Sequence, residues 1–325
     1  MHKTISLALG SICAIFLFFT MISAIRFVQS AWQPPEMENQ AADRYRLVLI
    51  TQDLGTPFWN KVGEGAEEEA SRLDANLEVW GTYGEDRENF LKQLEIAIDS
   101  RVDGIIVQGM NEERFNNLTK IKASFHGIPV ITVASDVPMS DSMRRTYVGS
   151  DPLAAGRMIG ERLLADLGDT GIVVLMGNER EEYDQRRRIE GIRSVLKDYS
   201  GIRIEYVTSS AEEERVAAST RDVMNRFPDV NAFISVDANL TAAMIQEIGR
   251  RSQVEPYLIY SFDDNPDILP LLRRGKLDGV VEQSPYQMGE LGVRMIMQWL
   301  DGENVPLDAE GYPTDIRMLE AEDME

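Results

Sequence analysis

From Arg46 onward, short apolar runs rich in β-branched residues alternate with longer stretches whose apolar residues recur every three or four positions. The runs are RLVLIT (46–51), LEVWGTY (77–83), DGIIVQG (103–109), IPVITVAS (128–135) and RTYVGSD (145–151). They continue as GIVVLMG (171–177), GIRIEYVTS (201–209), NAFISVD (231–237), YLIYSFDD (257–264) and LDGVVEQ (277–283). Segments 57–73, 87–100, 152–167, 181–198, 211–226 and 238–249 carry the helical period. Strands that are apolar nearly throughout and joined by helices are parallel strands covered on both faces. The pattern therefore predicts an α/β protein. Ten such runs are too many for one compact doubly wound sheet, so two lobes of roughly equal length meeting at a cleft are expected.

In an open α/β sheet the ligand crevice lies beyond the carboxyl ends of the strands. This directs attention to Asp53, Thr56, Phe58 and Trp59 behind the first run, and to Ser135 and Asp136 behind the fourth. Asp237 and Asn239 follow the eighth run, Asp263 and Asp264 the ninth, and Glu282 and Gln283 the tenth. Carboxylates and amides exchange hydrogen bonds with hydroxyls, and aromatic faces cover the C–H faces of a pyranose, so the mixture suits a polyhydroxylated ligand. Each residue also has a structural alternative. Phe58 and Trp59, at a loop-to-helix junction, could plug the core. Asp263 could cap a helix beginning near Pro266, Asp237 could cap the helix after it, and Gln283 could satisfy backbone groups at a hinge.

The first 30 residues differ in kind. Lys3 precedes an uncharged run from Thr4 to Ile25, closed by Arg26. That run is long enough to span a bilayer, while Val28-Gln29-Ser30 has the small-residue character of a cleavage site. Residues 1–30 are thus expected to be a signal anchor or a signal peptide. Residues 31–44 form a polar linker reaching about 45 Å when extended. The rest of the chain is expected outside the cytoplasm, tethered to the membrane, or secreted if the signal is cleaved. The single cysteine, Cys13, lies within the apolar run, so the exported part must be stable without disulfides.

Net charge over the 325 residues is −21, which argues against nucleic acid and anionic lipid as partners. His2 and His126 are the only histidines, and no cluster has the spacing of a metal site or of a nucleophile–base pair. No cofactor or metal is expected, and no pair of carboxylates is singled out as a glycosidase pair.

Several stretches in order resemble the type 1 periplasmic sugar-binding proteins, the ribose- and galactose-binding group that shares its fold with lac-repressor effector domains. They include TPFWNKVGEGAEEEA (56–70), GIPVITVASDVP (127–138), YVGSDPLAAGRMIGERL (147–163), RRRIEGIRSVL (186–196), FPDVNAFISVDANLTAAMIQEIG (227–249) and SFDDNPDILPLLRRGKLDGVVEQSPYQMGELG (261–292). The resemblance implies two Rossmann-like lobes with parallel sheets, joined by three crossovers near Gly149-Ser150, Gln283-Ser284 and Tyr312-Pro313. The lobes would then be 45–149 with 284–312, and 150–283 with 313–325.

The resemblance also implies a set of ligand contacts. Thr56 takes the polar position before the Pro-aromatic pair, Phe58 and Trp59 are the stacking aromatics, and Arg188 is the hinge-side arginine, with Arg186 its neighbour. Asp263 and Gln283 match directly. The family's acid–arginine pair falls on Ala134 and Ser135, with Asp136 one place later as the substitute acid. The asparagine expected after the eighth strand is Val236, followed by Asp237 and Asn239, and the aromatic expected near 210–214 meets Ser-Ala-Glu-Glu-Glu. The implied function is a non-enzymatic, extracytoplasmic protein that closes around a small carbohydrate and delivers it to an ABC-type permease. The alternatives are a membrane-anchored sensor partnering a two-component histidine kinase, and a carbohydrate-active hydrolase.

Overall fold

The apolar runs assemble, in the computed structural model, into two sheets of six strands each. The structure describes residues 17–22, 44–84, 86–179, 183–251, 257–263 and 267–324. One sheet contains β1 (Arg46–Thr51), β2 (Asn76–Gly81), β3 (Gly104–Gln108), β4 (Val130–Val133), β5 (Thr146–Gly149) and β11 (Tyr312–Pro313). Its order is β11-β5-β4-β3-β1-β2, parallel throughout. The other contains β6 (Thr170–Asn178), β7 (Gly201–Ser209), β8 (Val230–Ser235), β9 (Leu258–Phe262), β10 (Gly279–Gln283) and β12 (Ile316–Leu319). Its order is β12-β10-β9-β8-β6-β7, with β12 antiparallel to β10 so that Gln283 faces Ile316. The α/β expectation and the two-lobe arrangement hold; β11 and β12 are additions that the apolar pattern did not show.

Both faces of each sheet are covered, which explains why the inner strands read as nearly unbroken apolar runs, whereas the edge strands β2 and β7 stay partly exposed. The long helices are α1 (Pro57–Arg72), α2 (Arg87–Asp99), α3 (Pro152–Leu167), α4 (Tyr183–Leu196), α5 (Glu213–Arg226), α6 (Ala238–Arg251) and α7 (Pro285–Leu300). In the first sheet Leu47, Leu49 and Ile106 pack against Val62 of α1 and Met288 and Ile296 of α7. Val48, Ile50 and Ile105, pointing the other way, pack against Phe90 and Leu94 of α2. The second sheet repeats the scheme, with Val174 and Phe233 toward α5 and α6, and Val173 and Ile234 toward α3 and α4.

Glycines set the closest helix approaches. A Cβ on Gly289 of α7 would lie 1.9 Å from the Val62 carbonyl oxygen of α1, and one on Gly156 of α3 would lie 2.1 Å from the Arg188 carbonyl oxygen of α4. The second contact fixes the height of α4, and with it the position of the Arg188 side chain.

The chain passes between the sheets three times. It leaves β5 through Ser150 into α3, whose first turn is capped by Asp151 Oδ1 accepting from the amides of Leu153 (2.8 Å) and Ala154 (3.1 Å). It returns from β10 through Ser284 into α7, and passes again from β11 to β12. These crossovers are tied together: the Thr314 amide donates to the Gly149 carbonyl (3.0 Å) and Ser284 Oγ to the Asp315 carbonyl (3.0 Å). All of this belongs to the unit Tyr45–Glu325. Residues 17–22 are helical, and among the described residues no helix is long and apolar enough to cross a membrane. The rest of the expected signal segment 1–30, and the linker up to residue 43, lie outside the described residues.

Candidate functional site

The carboxyl ends of both sheets open on one cavity of about 450 Å³. On the first lobe the wall is built by the turn between β1 and α1. Thr56 is the N-cap of α1, its Oγ1 accepting from the Trp59 amide at 3.4 Å, and Pro57 supplies the fixed φ of the first turn. This places both aromatics at the cavity edge. Trp59 is only 6% exposed and packs on Leu47 and Val62, yet it also lines the cavity. Phe58 is half-buried and meets it edge-on, with ring centroids 5.5 Å apart. Core plug and cavity wall are therefore one structure rather than rival roles. Gln108, at the end of β3, accepts at Oε1 from Thr51 Oγ1 (3.1 Å) and the Gln52 amide (2.8 Å). The Gly109 amide donates to the Ser135 carbonyl at 2.9 Å, an approach that a side chain on Gly109 would block.

On the second lobe Arg188 is the centre. Its Nη1 donates to the Val236 carbonyl (2.9 Å), its guanidinium lies 4.4 Å from the Phe262 ring centroid, and Nη2 is 4.0 Å from Asp263 Oδ2. Its Nε is buried with no partner. Asp263 adopts a left-handed backbone (φ 67°), held by its amide donating to the Val281 carbonyl at 2.9 Å. Its Oδ1 accepts from Gln283 Nε2, and Gln283 Oε1 accepts from Ser150 Oγ. Asp237 accepts from Asn178 Nδ2 (3.2 Å) and Gln185 Nε2 (3.1 Å) at one oxygen, and from the Asn239 amide (3.0 Å) in the first turn of α6 at the other. Asp237 thus both caps and lines. Asp184, one turn before Arg188, has a buried Oδ1 without a partner. Burial pushes the carboxyls of Asp184 and Asp263 above the usual aspartate range, and the Arg188 charge offsets this only in part.

Nine of the ten expected residues line the cavity: Thr56, Phe58, Trp59 and Ser135 from one lobe, and Arg188, Asp237, Asn239, Asp263 and Gln283 from the other. Asp136 does not. Its carboxylate accepts from Thr132 Oγ1 (2.6 Å) and Arg144 Nη2 (2.7 Å), so the register offset turns it into a structural ion pair. The described helix nearby, Leu269–Arg273, follows Ile268 without a side-chain cap, and Pro266, where a helix capped by Asp263 was the alternative, lies outside the described residues. Arg186 is exposed. Sequence reasoning missed Gln108, Asn178, Asp184 and Gln185. The first two end β3 and β6, so the carboxyl-end rule, applied to every strand, reaches them. Asp184 carries a subtler signal, lying four residues before Arg188 on one helix face. Five aspartates (53, 184, 237, 263, 267) against Arg87 and Arg188 make the lining electronegative.

A family profile described as the periplasmic binding protein domain matches residues 47–304. The ribose import binding protein of Salmonella typhimurium (strain LT2) is 22% identical over 303 residues, which cover 92% of this chain and 97% of that protein. Among solved structures, GanP, a glucose-galactose binding protein from Geobacillus stearothermophilus, aligns with a TM-score of 0.81 at 27% identity, covering 86% of this chain and 99% of its own. A chain of the XylFII–LytSN complex aligns with a TM-score of 0.76 at 27% identity over 86% and 99% of the two chains.

Proposed function

This chain belongs to the periplasmic binding protein domain family, and on that premise we propose that it is an extracytoplasmic receptor that holds a small neutral sugar between its two lobes without altering it. The observation that carries the reading is the shared cavity itself, which Asp184, Arg188, Asp237, Asp263 and Gln283 line from one lobe and Phe58 and Trp59 from the other. Asp184, Asp237 and Asp263 accept from hydroxyls, Arg188, Gln283 and Asn239 donate to them, and the Phe58–Trp59 wall covers apolar C–H surface. The excess of carboxylates disfavours phosphorylated and acidic sugars.

Because these groups come from both lobes, the ligand favours the closed arrangement to the extent that it touches both. The import role in the name of one relative supports delivery to an ABC-type permease. The likeness to a chain of the XylFII–LytSN complex supports a second reading, a sensor that presents its occupied form to a membrane histidine kinase. Deletion separates the two: a carrier strain loses sugar uptake, whereas a sensor strain loses induction of the sugar operon and keeps uptake through a constitutively expressed permease. The binding reading itself is tested by thermal melts against a panel of monosaccharides, since a ligand of the native form raises the midpoint with the logarithm of its excess. A panel without any shift, or sustained conversion of a sugar by the purified protein, overturns it.

A further inference from the structure

Beyond the proposed sugar site lies a second recess of about 840 Å³, and Asp53, Asn178 and Asn239 line both. It runs along the ends of β6 and β7 to the start of α5. Its floor is rich in hydroxyls, supplied by Thr208, Ser209, Ser210 and Ser219, and among the described residues no aromatic side chain lines it. We propose that the physiological ligand is a disaccharide or glycoside, one ring in the inner cavity and a second neutral, hydroxylated unit in this recess. The proposal rests on the sugar-binding reading above and specifies its ligand class.

Three features point the same way. The two volumes adjoin at the polar residues Asp53, Asn178 and Asn239, so the wall between them is polar, a boundary that a hydroxylated ligand can bridge. The recess carries Asp53, Glu179 and Glu212 against Arg215, an acidic balance that disfavours a phosphate or carboxylate on the second unit. Tyr83 stands next to the shared Asp53 on the first lobe and is 81% exposed. The next residue, Gly84, donates its amide to Asp53 Oδ1 at 3.4 Å, and the tyrosine ring lies near Gly55, where a Cβ would be 3.5 Å from it. Tyr83 does not itself line the recess, but a large exposed aromatic this close to the shared Asp53 offers a stacking face for a unit that projects from it. Since Asp53 belongs to the first lobe and the hydroxyl floor to the second, an outer unit would also be gripped by both lobes.

The test is calorimetric titration of the whole chain with cellobiose, lactose and xylobiose, and with glucose, galactose and xylose. At least one disaccharide is expected to bind ten times more tightly than either of its units. Tyr83→Ala, which removes an exposed ring, and Ser210→Trp, which fills the recess, should each lower that disaccharide-to-monosaccharide ratio at least fivefold, with thermal melts verifying that both variants fold. Disaccharides that bind no better than their units, or a ratio that neither variant moves, overturn the inference and leave a monosaccharide receptor. Failure of every sugar of either size sinks the sugar-binding reading, and the inference with it.

Discussion

Asp184 and Arg188 sit one helical turn apart on α4, and the charge balance between them sets how the ligand-free site responds to pH. Burial raises the carboxyls of Asp184 and Asp263 above the ordinary value of 3.8, with Arg188 a partial offset. An acid whose folded value is raised holds more protons folded than unfolded between the two values, so stability is lost as pH rises through that window. Asp184→Asn removes one such group. The melting midpoint of the ligand-free variant, relative to the parent, should therefore climb from about pH 4 toward neutrality; a gap that stays constant with pH would count against the assignment. The same change deletes an acceptor and should weaken sugar binding by about 1–3 kcal/mol in calorimetry. Arg188→Met acts in the opposite sense. It removes the charge that partly offsets both carboxyls and strands the Val236 carbonyl, and should cost roughly 3 kcal/mol of folding stability in urea titrations at neutral pH. At this scale the sequence shows residue types at strand ends well, because polarity changes abruptly there. It shows poorly which way a side chain turns: Asp136 and Ser135 are neighbours, yet Ser135 lines the cavity and Asp136 is bound by Arg144.

Eight of the ten predicted strands were legible because they are largely buried and so are apolar at consecutive positions, while the edge strands β2 and β7, partly exposed, were legible from alternation and β-branched content. Tyr312–Pro313 and Ile316–Leu319 were not, since a two-residue and a four-residue edge strand next to a crossover need no such run and are fixed by pairing with β5 and β10. Helix approach was equally hidden, because a glycine that permits close contact reads in sequence as any other glycine. Two of these contacts separate packing from function. Gly289→Ala and Gly156→Ala each drive a Cβ into a backbone carbonyl of the facing helix, and each should cost about 1–3 kcal/mol of stability in urea unfolding. Only Gly156 leans on Arg188, so only Gly156→Ala should also reduce sugar affinity, by threefold or more (roughly 0.7 kcal/mol). Equal affinities in the two variants would show that the height of α4 does not position the arginine.

For the molecule as a whole, a hydrogen-bonded chain from Ser150 through Gln283 to Asp263 connects two crossovers to the cavity floor. Ser150 does not line the cavity, so any effect it has on binding must pass through the orientation of Gln283. Trp59 acts differently, as the first-lobe surface against which the ligand is held. The two therefore predict different failures in small-angle scattering combined with titration. Saturating sugar should reduce the radius of gyration of the parent protein, because a ligand that bridges the lobes stabilises the closed form. Ser150→Ala should lower affinity by about tenfold or less (~1.4 kcal/mol) and keep the contraction at saturation, since every ligand contact remains available once the glutamine is aligned. Trp59→Ala should lower affinity more steeply and abolish much of the contraction even at saturation, because the sugar then rests on Arg188, Asp263 and Gln283 with little to draw the first lobe onto it. A Trp59→Ala protein that binds and contracts like its parent would mean that the aromatic pair at the head of α1 serves the core alone, and that closure is driven from elsewhere on the first lobe, with Gln108 and Asp53 the next residues to change.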